Sequence, residues 1–194
     1  MILEELVGLM DIGCDAMGKT FEGLRVCELG DQRMKWHPLQ TGKKYLAEKG
    51  VVEHISLDWN GKNGALKRDL GNPIDEWDSY FDMVTNFGTV EHIDDGQYNA
   101  FKNIHNFTNV GGVMVHAFPL VECWIGHCDY HYESDFPETL ASLNDYKCVL
   151  SEVRKIIGRR GRRQLMVCTV LLKNKDEDFM TEDKFKKMGK IKGL

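Results

Sequence analysis

What this chain lacks narrows its identity first. No apolar run approaches the roughly 18–20 residues that a membrane-spanning helix needs. The opening stretch MILEELVGLMDIG carries Glu4 and Glu5 where an export signal carries positive charge. These absences exclude a membrane partner and predict a cytoplasmic protein. There is no surplus of positive charge: 25 Lys+Arg face 30 Asp+Glu, for a net charge of −5. The chain as a whole therefore has no attraction for nucleic acid. Internal repeats and linker-like stretches are missing, and 194 residues match the roughly 100–200 expected of one domain with a sizeable core.

A cysteine framework is also missing. The six cysteines, at positions 14, 27, 123, 128, 148 and 168, sit in a chain too large to need disulfide staples and read as small buried hydrophobes. Cys123, His127, Cys128 and His131 cluster locally, but without the longer arm that separates ligand pairs in zinc fingers and ribbons. No metal is assigned.

What is present begins with LRVCELGDQRM (24–34), an apolar run that stops at Glu28 and then Gly30. A strand ending in glycine brings backbone close to a ligand, because no Cβ blocks the approach. Three more segments follow in order: VVEHISLD (51–58), FDMVTNFGTVEHI (81–93) and NVGGVMVHAFPL (109–120). Between them lie helical patterns: residues 2–18 with apolar Ile2, Leu3, Leu6, Val7, Leu9 and Met10; Pro38 to Gly50; and Asp94 to Asn106. ALKRDL reads as a short third strand ending near Asp69, Phe81–Asn86 as the fourth and Val113–Phe118 as the fifth. This alternation predicts parallel crossovers packed on both faces of one sheet. Thr139–Asn144 reads as a helix. Lys147–Ile157 and Gln164–Lys173, separated by GRRGRR, read as a closing antiparallel hairpin. The charged tail from Asn174 reads as a partly mobile end.

In such a sheet ligands bind beyond the carboxyl ends of the strands, where the strand order reverses. Those ends are Glu28–Gly30, Asp58, Asp69, Asn86–Gly88 and His116–Pro119. Asp58 is placed to accept hydrogen bonds from both hydroxyls of a ribose, or else to make an ordinary turn. A dinucleotide site wants G-x-G-x-x-G. Here Gly30 is followed by Asp31, Gln32, Arg33 and Met34, with no second glycine before Gly42. That argues against NAD and FAD and for S-adenosylmethionine, which has no phosphate.

Together these pieces resemble the class I S-adenosylmethionine-dependent methyltransferases of the small-molecule type, over approximately residues 20–173. VCELGDQ matches the first cofactor motif, ISLD the ribose acid, RDL the adenine-side strand, VTNFGTVEHI the fourth-strand motif and NVGGVMVHAFP the fifth. The resemblance implies an α/β, Rossmann-like, seven-stranded, mostly parallel sheet with helices on both faces and a closing antiparallel hairpin. One domain would span 1–173, with 1–20 as a helix covering the sheet and 174–194 as the tail. It implies S-adenosyl-L-methionine as cofactor and S-adenosyl-L-homocysteine as product. Glu28 and Gly30, with Asp31 and Gln32 in the same turn, would line the methionine and ribose side. Asp58 would hold the ribose, Asp69 and Leu70 would flank the adenine, and Asn86, Phe87 and Gly88 would border the sulfonium.

No Asp/Asn-Pro-Pro-Tyr/Phe element follows the fourth strand, so the resemblance does not point to amino groups of DNA bases. The acceptor expected is a small or saccharide-like molecule methylated at oxygen, which benefits from a base. His92, next to the expected methyl, is the first candidate; His127 and His131 are the others. Tyr130 and Tyr132, with those histidines, either form an acceptor pocket or close the core beneath a loop. His116, inside a strand, reads as a packed residue. The basic cluster of Arg154, Lys155, Arg159, Arg160, Arg162 and Arg163 is either a solvated loop or a phosphate grip, which keeps an RNA or nucleotide methyltransferase as an alternative. A non-catalytic adenosylmethionine-binding scaffold is the third reading, suggested by Asp31-Gln32 where the family's first motif has small residues.

Overall fold

The computed structural model describes residues 1–157 and 163–194. Its main sheet contains β1 (Arg25–Leu29), β2 (Glu53–Asp58), β3 (Leu66–Lys67), β4 (Phe81–Phe87), β5 (Thr108–Pro119), β6 (Lys147–Ile157) and β7 (Arg163–Leu172). They lie in the order β3-β2-β1-β4-β5-β7-β6. Strands β1 to β5 pair in parallel, and β7 runs antiparallel to both β5 and β6. The seven-stranded, mostly parallel sheet with a closing hairpin is the architecture the sequence predicts. The helices are α1 (Glu4–Met17), α2 (Gly42–Glu48), α3 (Gln97–Phe107), α4 (Phe136–Leu143) and α5 (Glu182–Lys187).

Side chains of a strand alternate between faces, and helices cover both faces here. Val26, Met83, Val113, Val115, Ala117, Cys168 and Val170 join Leu6, Leu9, Met10 and Cys14 of α1 in one core. Cys27, Val84, Met114, Phe118, Val167 and Leu171 join α3, α4 and α5 in the other. Being covered on both sides, β4 is buried at every residue. At Gly13 α1 packs tightly on the sheet: a Cβ there would stand 3.2 Å from both Met83 Cε and Val113 Cγ2.

The structure departs from the sequence reading at three elements. The helix expected from Pro38 starts later, at Gly42, because Thr41 and not the proline caps it: its side chain accepts from Lys44 N. Residues Arg33–Met34 and Gln40–Thr41 instead form a small antiparallel ribbon. The third strand shrinks to Leu66–Lys67, since Asp69 turns the chain by accepting from Gly71 N at 2.9 Å. The tail is the largest correction. It carries Phe179, Met180, Phe185 and Ile191 into the core, and Ile191–Lys192 pair with His131–Tyr132. Its charges lie on the outside of an element whose apolar positions are too sparse to show periodicity. No helix among the described residues is long and apolar enough to cross a membrane.

Candidate functional site

The strand order reverses between β1 and β4, and their carboxyl ends open a cleft there. Gly30 leaves β1 with φ +79°. A Cβ at that position would lie 2.7 Å from Thr89 Oγ1 and 2.9 Å from Gln32 Nε2, so the turn requires glycine on both counts. Thr89 Oγ1 donates to Leu29 O at 2.8 Å, and Gln32 Nε2 donates to the same carbonyl at 2.8 Å. These bonds lace the ends of β1 and β4 together.

Above this crest is a cavity of about 650 Å³. Gly30, Asp31 and Gln32 form one wall; Leu57, Asp58 and Trp59 form the next, after β2. Arg68, Asp69 and Leu70 follow from β3. Gly88, Thr89, His92, Ile93 and Asp94 complete it after β4, with Met1 laid across. Asp58 Oδ2 accepts from Asp31 N at 3.1 Å and Oδ1 from Asn60 N at 3.0 Å. Each oxygen keeps a lone pair for a ligand. Trp59 presents an indole that is 75% exposed. The Arg68 guanidinium is gripped by Glu76, at 2.7 and 2.8 Å. Burial, then the neighbouring His127, lowers the His92 pKa below the usual imidazole value.

Backbone N–H groups on this crest are already spent. Gly30 N donates to Leu57 O at 2.7 Å and Gly88 N to Ala117 O at 3.2 Å. Asp31 N goes to Asp58 and Gln32 N to Glu28 Oε2 at 3.4 Å. A phosphate cradle needs such donors free and aimed outward. This turn offers none of the four.

Of the residues singled out from sequence, Gly30, Asp31, Gln32, Asp58, Asp69, Leu70, Gly88 and His92 share the cavity wall. Glu28 does not. Strand alternation puts it on the α2 face, lining an adjoining cavity of about 370 Å³ that shares Asp31 and Gln32 with the first and adds His54 and Ser56, and its carboxylate lies against Gly42, where a Cβ would collide with it. Asn86 and Phe87 are also absent from the wall. Asn86 Oδ1 accepts from Thr89 N and Val90 N, both at 3.2 Å, and so shapes the turn, while Phe87 packs in the α1 core.

His127 sits outside the wall, its ring 5.2 Å from that of His92. His131 belongs to the ribbon with the tail, its Nε2 3.5 Å from Cys128 Sγ. Among the described residues no three or more His, Cys, Asp or Glu side chains converge as metal ligands. Tyr130 and Tyr132 are core residues, with Tyr132 donating to Gln97 Oε1 at 2.6 Å. His116 is fully buried, stacked on Phe118 at 5.0 Å, and burial lowers its pKa to about 3. In the basic cluster, Arg154 bonds Glu152 and Glu5 O; Arg159, Arg160 and Arg162 lie outside the described residues. Sequence reasoning missed Trp59, Thr89 and Glu91. Their signal was adjacency: Trp59 directly follows Asp58, and the other two flank Val90 within the segment after the fourth strand.

No protein-family model and no curated protein matches the sequence. Solved structures do match the fold. A 1,6-didemethyltoxoflavin N1-methyltransferase from Burkholderia thailandensis, with bound 1,6-didemethyltoxoflavin and S-adenosylhomocysteine, has a TM-score of 0.60 at 13% identity, covering 89% of this chain and 79% of that one. The N-methyltransferase NodS from Bradyrhizobium japonicum, in complex with S-adenosylhomocysteine, has a TM-score of 0.60 at 10% identity, covering 89% and 87%. A SAM-dependent methyltransferase from Methanosarcina mazei has a TM-score of 0.57 at 12% identity, covering 80% and 94%. The architecture is thus that of an open, doubly wound sheet with a cavity at its switch point. Within that class, the chain has the class I methyltransferase fold.

Proposed function

We propose that this protein is an S-adenosylmethionine-dependent methyltransferase acting on a small molecule. The observation that carries the reading is the cavity over the β1/β4 switch point. There a carboxylate with free lone pairs stands beside an exposed indole, and the backbone donors that a phosphate would need are spent. A volume of about 650 Å³ lies within the roughly 300–1,000 Å³ of small-ligand sites. The carboxylates of Asp31, Asp58, Asp69 and Asp94 around it repel phosphate and suit a cationic, phosphate-free nucleoside.

Asp58 would accept the ribose hydroxyls. Trp59, Leu70 and Ile93 would give the adenine apolar and aromatic faces. Gln32 and Thr89, at the joined ends of β1 and β4, would meet the amino acid end. When bound, adenosylmethionine would supply an electrophilic methyl carbon on a sulfonium, with the neutral thioether as leaving group. The protein's own part is to hold acceptor and methyl in line and to exclude water. His92, neutral at pH 7, is available at that wall as a proton acceptor.

Isothermal titration calorimetry with adenosylmethionine, adenosylhomocysteine and NAD tests the reading. Both sulfur nucleotides are expected to bind at one site per chain and NAD to give no heat. Binding of NAD alone, or silence from both sulfur nucleotides, overturns it.

A further inference from the structure

Glu91 is a buried carboxyl outside the contacts proposed for the adenine, ribose and amino acid parts of the cofactor. It is 3% exposed, in the short 3-10 turn Val90–His92 after β4. Its carbonyl accepts from Asp129 N and Tyr130 N, both at 3.2 Å, which ties the turn to the loop after β5. The side chain is left over: Oε2 has no hydrogen-bond partner among the described residues. Oε1 lies 3.1 Å from where a Cβ would stand on Gly88, and Gly88 is part of the cavity wall. With φ +76° that position favours glycine, so at Gly88 no side chain stands between the carboxyl and the wall. Beside it, three rings run outward from the wall: His92 to His127, then His127 to Trp124, each pair 5.2 Å between centroids. A buried carboxylate accepts positive charge or an N–H donor, and the indole of Trp124 at the outer end of the series adds an aromatic surface for a cation.

We infer that the His92 end of the cavity selects a nitrogen acceptor that is cationic or carries an N–H donor, with Glu91 supplying the negative charge and the His92–His127–Trp124 rings flanking it. This rests on the methyltransferase reading, and it replaces the oxygen acceptor expected from sequence. Burying an unpaired carboxylate is costly, and a bound cation removes that cost. Burial holds the Glu91 proton to about pH 7, so a cationic guest ionises the group near neutrality. The titratable groups facing it do not supply the missing charge. Cys128 is pushed up to about 12 and Tyr132 well above the phenol range, both by burial, so both stay neutral. Asp129, from the loop, adds negative charge, and His92 is held below the usual imidazole value. The α-amino group of Met1 is the one opposite charge acting on Glu91. Burial lowers the pKa of that amine in turn. A carboxylated or phosphorylated acceptor would meet Glu91 and Asp129 with like charge.

Two cofactor-site probes isolate the effect: adenosylhomocysteine, neutral at sulfur, and sinefungin, which carries an amine where the methyl group would be. The wild-type protein is expected to prefer sinefungin by about tenfold at pH 8, and the preference is expected to shrink at pH 6 as Glu91 takes up its proton. In Glu91→Gln, adenosylhomocysteine affinity should stay within about twofold, and the preference and its pH dependence should both disappear. The pH series on the wild-type protein decides the matter if the variant does not fold. A preference independent of pH, or one that persists in Glu91→Gln and so belongs to His92 or Asp129, overturns the inference while leaving the methyltransferase reading standing. Absence of binding by either probe overturns that reading instead, and the inference with it.

Discussion

Asp58 joins two parts of the cavity wall, because one oxygen holds Asp31 N across from β1 while the other accepts from Asn60 N in its own turn. Asp58→Ala is expected to weaken adenosylhomocysteine binding by roughly 1.5–3 kcal/mol, the worth of charge-assisted hydrogen bonds, with the circular dichroism spectrum unchanged; titration calorimetry reads it. Glu91 predicts a second, independent effect. Burial raises its folded-state pKa from 4.5 to about 7, so the native state holds a proton that the unfolded state has lost. Its contribution to stability is full below about pH 4.5 and is lost as pH rises through about 7, amounting to at most about 3 kcal/mol. Urea unfolding at pH 5 and pH 8 should show a smaller difference for Glu91→Gln than for the wild type; equal differences would refute the assignment. Glu28 shows where residue-level legibility ended. Its position after an apolar run suggested a ligand contact, but one step of strand alternation turns it toward α2.

The elements of the sheet were legible wherever a continuous apolar run set them, and β6 carries the bounds expected from sequence. They were illegible where a few long-range contacts define them. The tail is the clearest example. Phe185 is 1% exposed, its ring 5.5 Å from that of Phe101 on α3 and 5.8 Å from that of Tyr98. Local sequence shows only charge around it. Phe185→Ala should therefore cost about 3–5 kcal/mol, as truncation of a buried aromatic does, seen as a lower urea midpoint. A change within about 0.5 kcal/mol, the ordinary effect of a surface substitution, would show that the tail is loose after all. The helix start at Thr41 in place of Pro38 makes the same point. A proline is compatible with a first turn, but the hydrogen bond from Lys44 N decides where the turn begins.

At the scale of the whole molecule, the cavity walls come from turns after four different strands of one sheet, so a ligand there stabilises the folded state as a unit. Adenosylhomocysteine at one hundred times its dissociation constant should add about 2.7 kcal/mol, a rise in melting temperature of roughly 5–11 °C for a chain of this size. NAD at the same concentration should leave the transition in place. The alternation of apolar runs with helical patterns, the glycine after the first strand and the acid after the second were properties of the sequence alone. They determined a parallel sheet closed by a hairpin, with a ligand edge that lacks a dinucleotide motif, because local propensity and the period of burial are written residue by residue. Only the tertiary structure decided that Glu28 lies toward α2, that Trp59 stands at the cavity with Glu91 buried behind Gly88, and that four backbone donors of the crest are consumed within the protein. Those facts depend on which distant strands become neighbours and in what register, and no local pattern encodes that.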